Sequence, residues 1–252
     1  MVKRLPETLA KAVIIALASL FLLPIAAVVI SSLGSGVKPY LDFFIWEPAY
    51  LRALAVSMLI AFCSSAGSVA VSVLAAYVFS QCGFKGRGEL FYLYIIVMMT
   101  PFQVTLLPQY IVSKALGVYD TPAALILPGI FSPFAAFLLT QIMKSIPRDS
   151  LEAARLDTGS TLKIILRVIL PQMRSGIICA WVLMFTEQWN MVAEPLLLLE
   201  TQKNYPLSVL LAGTESGAFA FAATVVFMLL PLGLFLIFEN EILEGLEGYR
   251  LK

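Results

Sequence analysis

Five stretches of this chain contain no Asp, Glu, Lys or Arg: residues 12–37, 53–84, 90–113, 121–143 and 216–238, each at least 23 residues long. A helix needs about 20 apolar residues to cross the hydrocarbon core of a bilayer. Each run is therefore long enough to span one. A sixth run, 176–192, is broken only by Glu187. It counts as a span because the segment after it must start on the opposite side for the charges to partition. The spans are predicted at about 12–32, 53–80, 90–112, 121–143, 176–193 and 216–238, in a single transmembrane domain over residues 1–252. The fold class is all-α membrane protein. Only 13% of the 252 residues are charged, against about 25% in a soluble domain, which leaves too little charge to wet a globular surface.

The first run follows Lys3, Arg4 and Lys11, as a signal peptide would. A signal h-region has only about 7–15 residues, so an uncleaved first helix is expected. Six spans that start inside place both termini in the cytoplasm. Lys3, Arg4, Lys11, Lys85, Arg87, Lys144, Arg148, Arg155, Lys163, Arg167, Arg174, Arg250 and Lys252 then fall inside. Lys38, Arg52, Lys114 and Lys203 fall outside, a partition of 13 to 4 that follows the positive-inside rule.

Other classes are excluded by what is missing. The net charge of +1 gives no basic footprint for nucleic acid. The absence of histidine removes imidazole-based triads and His-ligated metal sites. Cys63, Cys82 and Cys179 form neither a disulfide framework nor a zinc pattern and read as small packing residues. No G-x-x-x-x-G-K-[ST] phosphate loop occurs, so the chain is not expected to hydrolyse ATP.

Polar and small residues inside the spans are placed selectively. Ser64, Ser68, Ser72, Ala76 and Ser80 recur every four residues. Such a stripe lets helix backbones approach closely in lipid; a substrate-lining face is the other reading. Thr100, Pro101, Gln103, Thr105, Pro108 and Gln109 fall in the third span, where the prolines bend the helix and free carbonyls. Irregular backbone at that depth is tolerated only in protein or beside a watery cavity, which makes Pro101 and Gln103 candidate path residues. Pro128 and Pro133 break the fourth span and Pro231 the sixth. Glu187, Asn190 and Glu194 share a face of span five. An ionisable group in a span is a functional candidate, so Glu187 and Asn190 join the path. A structural hydrogen bond from Glu187 to a neighbouring helix is the alternative.

The longest connection, residues 144–175, reads as two short helices. Pro147 and Asp149 suit the first turn of one. Thr158-Gly159 breaks the chain, and Ser160 caps the other. Leu162, Ile165, Leu166 and Ile169 follow an i, i+3, i+4, i+7 pattern, which predicts one apolar face with Lys163 and Arg167 away from it. Such a hairpin can dock a cytoplasmic protein or lie on the lipid surface.

Glu152-Ala153-Ala154, Asp157, the nearby Gly159 and Leu170-Pro171 resemble the EAA loop of permease subunits of bacterial binding-protein-dependent ABC importers. Met98-Met99-Thr100-Pro101-Phe102-Gln103 with Leu107-Pro108, Trp189-Asn190 with Pro195-Leu196, and Gly245-Leu246 are similar to the sugar-uptake branch, the maltose, multiple-sugar and glycerol-3-phosphate type. The resemblance covers roughly residues 55–250. It implies a type I importer permease in the bacterial inner membrane, with Glu152, Ala153, Ala154, Asp157, Gly159, Leu170 and Pro171 coupling to an ATPase. The implied partners are a second permease, with a heterodimer favoured, two cytoplasmic ATP-binding subunits and an extracytoplasmic solute-binding protein. ATP and Mg would sit on the ATPase subunits, with no cofactor or metal on this chain. A sugar or oligosaccharide is the commonest cargo of that branch. The sequence departs from the family pattern at Thr158, where a glycine usually follows the aspartate, and in an acidic tail with Glu239, Glu241, Glu244 and Glu247. The competing reading is an ion-coupled secondary transporter of a small polar solute, with Glu187 as the coupling group. An intramembrane enzyme is the third, remote reading.

Overall fold

The computed structural model describes residues 7–247. Lys3, Arg4, Arg250 and Lys252 lie outside the described residues, as does the side chain of Leu246. Among the described residues every regular element is helical. Helix α1 spans Glu7–Gly34 and α2 Pro48–Gln81. Between them Lys38–Leu41 and Asp42–Trp46 make short helical turns. Then come α3 Arg87–Met98, α4 Phe102–Ala115, α5 Ala123–Ile130 and α6 Pro133–Met143. Helix α7, Arg148–Asp157, and α8, Thr161–Gln172, form the hairpin. The chain ends with α9 Arg174–Trp189, α10 Ala193–Leu198, α11 Leu207–Ala212, α12 Ala218–Ile237 and α13 Glu239–Glu247.

Four helical segments are long and apolar enough to cross a membrane alone: Lys11–Gly34, Pro48–Gln81, Ala123–Met143 and Ala218–Ile237. The count rises to six if each of two bent pairs is one span. The third apolar run is one of those pairs: α3 and α4 meet at 95°. Pro101 sits at this corner with an extended ψ of 134° just before α4. A proline lacks the N–H that would continue the α3 ladder and restricts the residue before it. The other pair, α8 and α9, turns by 83°.

Helix α2 is the hub, packing against α9, α6, α5 and α11. The predicted stripe faces inward: Ser64, Ser68, Ser72 and Ala76 are buried and Ser80 is half-buried, with Ser57 and Ser65 also buried. With no hydrophobic drive between helices in lipid, small side chains gain van der Waals contact by letting backbones approach. Gly129 of α5 marks how close that approach is. A Cβ there would stand 2.8 Å from Ser64 and from the Gln188 amide oxygen, so any larger residue would force three helices apart. The outward surfaces are the reverse of a soluble fold. Phe21, Tyr92 and Ile237 stand about 70% exposed or more, along with most of the apolar face of α1, which packs against α12.

Candidate functional site

The hairpin is fixed to the body by one side of each helix. Leu151 and Ala154 of α7 are 3% and 8% exposed, and they join Ile164, Ile165, Ile169 and Met173 in a core with Leu139, Met143 and Ile146 at the end of α6. Val73 and Ala76 of α2 and Ala180 of α9 complete it. Asp149 occupies the first turn of α7, where the partial positive charge of the helix start favours it. The Ser160 hydroxyl accepts the Lys163 N–H at 3.5 Å, the predicted cap. Thr158 is extended and its hydroxyl accepts the Ser160 N–H at 3.3 Å.

The predicted apolar face of α8 is corrected. Ile165 and Ile169 are buried with Ile164, but Leu162 and Leu166 are 60% and 53% exposed. The buried side is already displaced toward Ile164 in the regular first turn, and a π-type turn over Ile165–Ile169 follows. One extra residue per turn rotates the stripe, so the regular i, i+3, i+4 register fails there.

Of the coupling candidates, Glu152, Ala153, Asp157, Gly159 and Pro171 face outward, Leu170 is half-buried and Ala154 is buried. Leu156, not singled out from the sequence, stands 90% exposed among them. The chain has no steric use for the absence of a side chain at Gly159. Its φ lies outside the left-handed region, and a Cβ would have nothing within 4 Å.

The path candidates separate into two groups. Glu187 lies in a cavity of about 370 Å³ between α3–α4, α5–α6 and α9. Gln188, Glu194, Thr105, Gln109, Phe102 and Ser132 share its lining. A second cavity of about 530 Å³ adds Asn190 and Thr186 to Glu187, Gln188, Glu194 and Phe102. Pro101 and Gln103 are exposed and line neither cavity. Gln188 was missed because its neighbour Glu187 carries the louder signal, a charge. The sequence marked Thr105 and Gln109 only as polar spots. In α4 they lie one turn apart, 3.5 Å between Gln109 Nε2 and Thr105 Oγ1.

The Trp189-Asn190 pair has a local explanation. Trp189 is fully buried, donates its indole N–H to the Phe227 carbonyl at 3.2 Å and stacks between Phe185 and Phe227. Asn190 donates to the Thr186 carbonyl at 2.8 Å and ends α9. Gly245 in α13 also has a packing role. A Cβ there would lie 2.7 Å from Cys179 Cβ, and Ser175 donates to Glu244 at 2.7 Å nearby. The last helix is thereby clamped on the start of α9.

A polar clasp at the other end of α5–α6 went unnoticed in the sequence. Asp120, in the left-handed region at φ 58°, accepts the N–H groups of Glu200 at 2.9 Å and Thr201 at 2.8 Å. The Thr201 hydroxyl also donates to it. Asn204 donates to the Asp120 carbonyl at 2.5 Å, and the Asp120 N–H reaches the Leu198 carbonyl at 3.0 Å. The Thr201 hydroxyl first, then the two backbone N–H groups, hold the carboxyl well below the usual carboxylate range. Alongside, Tyr119 donates to Glu200 at 3.0 Å, and the Lys114 ammonium lies 4.6 Å from the ring centres of Tyr110 and Tyr119. Bonds across 80 residues of sequence leave no local pattern to read.

Residues 68–245 match the family described as "Binding-protein-dependent transport system inner membrane component". The arabinooligosaccharides transport system permease protein AraQ of Bacillus subtilis (strain 168) is 31% identical over 180 residues, covering 69% of this chain and 64% of that protein. The sulfoquinovosyl glycerol transport system permease protein SmoH of Agrobacterium fabrum is 31% identical over 223 residues, covering 84% and 77%. The sn-glycerol-3-phosphate transport system permease protein UgpE of Agrobacterium fabrum is 33% identical over 152 residues, covering 60% and 54%. The chain thus aligns with less than two thirds of the first and third of these relatives. The structure of a bacterial ABC transporter involved in the import of the acidic polysaccharide alginate superposes with a TM-score of 0.77 at 18% identity, covering 93% of this chain and 95% of that one. At that identity the likeness speaks for the fold.

Proposed function

This chain belongs to the binding-protein-dependent transport system inner membrane components, and from that premise we propose that it is one of two permeases of an ATP-driven sugar or oligosaccharide importer. It is a multi-pass protein of the bacterial plasma membrane. Its termini and the 144–175 hairpin face the cytoplasm, as the positive-inside partition asks. A second, different permease completes the path. An extracytoplasmic binding protein delivers the cargo, and two ATPase subunits with ATP and Mg dock on the two hairpins.

One observation carries this reading. The hairpin exposes Glu152, Ala153, Leu156 and Asp157 while its other side is embedded in the same core as α2, α6 and α9. A push on the exposed face therefore has no soft element to absorb it, because close-packed cores transmit strain. It passes through Ile169 and Met173 into α9, whose far end carries Glu187 and Gln188 into the cavity. ATP-driven closure of the ATPase pair would draw the hairpins together and rock the spans between inward-open and outward-open states. Glu152 offers a carboxylate to a donor on the ATPase. Ala153 and the unobstructed backbone of Gly159 leave room for its surface. The cavity groups suit a hydroxylated cargo: Glu187, Glu194, Gln188, Gln109 and Thr105 accept or donate hydrogen bonds, and Phe102 offers an apolar face.

The test is reconstitution with the ATPase subunits, partner permease and binding protein. Glu152→Ala is expected to abolish substrate-stimulated ATP hydrolysis and uptake while thermal unfolding of the permease stays unchanged. Undiminished stimulation would sink the docking assignment. Uptake driven by a proton or sodium gradient without any ATPase would move the chain to the secondary transporters.

A further inference from the structure

A third cavity lies beside the hairpin end of the bundle, away from the two that Glu187 lines. Its volume is about 340 Å³, and it is lined by Phe79 of α2, by Arg87, Gly88, Phe91, Tyr92 and Ile95 of α3, and by Gln141 and Lys144 at the end of α6. The two cations come from different elements. Arg87 donates to the Cys82 carbonyl at 3.1 Å, which holds the guanidinium stem at the mouth. The Lys144 ammonium lies 4.8 Å from the Phe91 ring centre, within cation–π reach. Behind them Phe91 packs against Phe79 at 5.2 Å and Phe137 at 6.1 Å, which makes a rigid aromatic wall. Gln141 adds an amide.

The surroundings say what kind of molecule would sit there. No residue of α3 is buried. Its Leu90, Tyr92, Leu93 and Ile96 stand 48–70% exposed, an apolar strip leading away from the cation pair. Charge at this corner is positive: Arg87 and Lys144 line the cavity with Lys85 close in sequence, against Glu89, whose carboxylate approaches the Gly86 end of its own helix. A basic notch opening onto an apolar strip at a helix end matches the two halves of one anionic lipid, a phosphate and its acyl chains. A free phosphate would use the notch but have no need of the strip.

We propose that Arg87, Lys144 and Gln141 form a binding site for the phosphate headgroup of an anionic membrane lipid, whose acyl chain lies along α3. Occupancy ties α3 to the end of α6, next to the start of the hairpin. Its lining shares no residue with the Glu187 cavities or with the coupling candidates.

Native mass spectrometry of the full chain, purified in detergent within its importer complex, tests this. Phosphatidylglycerol and phosphatidylcholine with the same acyl chains are titrated in parallel. The expected result is retention of phosphatidylglycerol at about thirtyfold lower concentration, given two basic contacts. Lys144→Gln should remove most of that preference and the Arg87→Gln/Lys144→Gln pair all of it, whereas Lys85→Gln, outside the cavity, should keep it. Lys144→Gln leaves the Arg87–Cys82 bond in place, so it decides the matter should Arg87→Gln fail to fold. An unchanged preference in Lys144→Gln, or an equal loss in Lys85→Gln, overturns the site. Displacement of the lipid by millimolar inorganic phosphate overturns the lipid assignment in favour of a solute. Failure to be displaced supports it.

Discussion

The hairpin and the Asp120 clasp lie at opposite ends of the α5–α6 segment and are built from opposite materials. The clasp is polar: one carboxylate gathers two backbone N–H groups and a hydroxyl from residues 80 and 81 positions away. The hairpin is held by apolar burial, with Leu151, Ala154, Ile165 and Ile169 inside and its charges outside. The difference follows from what each must leave free. Charge-assisted bonds are directional and fix one geometry. They suit a joint that locks α10 and the Gln202–Asn204 turn to the top of α5. Apolar packing holds the hairpin firmly while leaving its carboxylates, Glu152 and Asp157, exposed, as the proposed docking requires.

The two regions should therefore fail differently. Removing the apolar anchor is the heaviest blow: Leu151→Ala should cost about 2–4 kcal/mol, as buried leucine truncations do. It should also uncouple ATP hydrolysis from transport, since α7 would shift on its bed. Thermal unfolding and coupled ATPase assays read the two effects. A variant as stable as the parent would break the burial argument. A destabilised yet fully coupled one would break the rigid-link argument.

At the clasp, Asp120→Ala should lower the melting temperature by a few degrees and leave the ATPase coupling ratio intact. The pH dependence carries the sign. The carboxyl titrates lower in the folded chain than in the unfolded one. Folding thus releases protons in that interval, and stability rises with pH there. The clasp's contribution is complete above the ordinary carboxylate value of about 4 and is lost as pH falls below it. Asp120→Asn should flatten this acid limb. An unchanged limb in scanning calorimetry would mean that another carboxylate produces it.

The smallest effect sharpens the contrast most. Gly159→Ala should change stability by less than about 0.5 kcal/mol, because the position has neither a left-handed φ nor a neighbour in the way. A loss of coupled transport with normal unfolding would put the need for glycine on the partner's surface. Loss of folding would return it to this chain.

Much of the helical framework was legible before any coordinates. Charge-free runs mark helices because lipid offers backbone groups no partner outside the helix, and Ser160 could be named as a cap because capping is local. The site was less legible. Glu187 and Asn190 stand out in a span by polarity alone, and both line cavities. Gln103 carries the same signal yet faces outward, because on α4 it lies about 100° round the helix from Phe102, which lines the cavity. Leu162 and Leu166 fit a helical stripe and are exposed all the same. The buried side of this helix is set by Ile164 against the core, and past it by a π-type turn that no periodicity announces.

By itself the sequence determined that this is a helical membrane chain, and it carried a loop that resembles the family's EAA motif. Both rest on local facts: the run length needed to cross lipid and residues at fixed spacing in one loop. Tertiary structure decided which polar groups meet. Asp120 with Thr201 and Trp189 with Phe227 are pairings between segments distant in sequence, and Glu187 and Gln109 come to line one cavity. They are set by how close the serine and glycine faces let the helices come, and no single segment contains that distance.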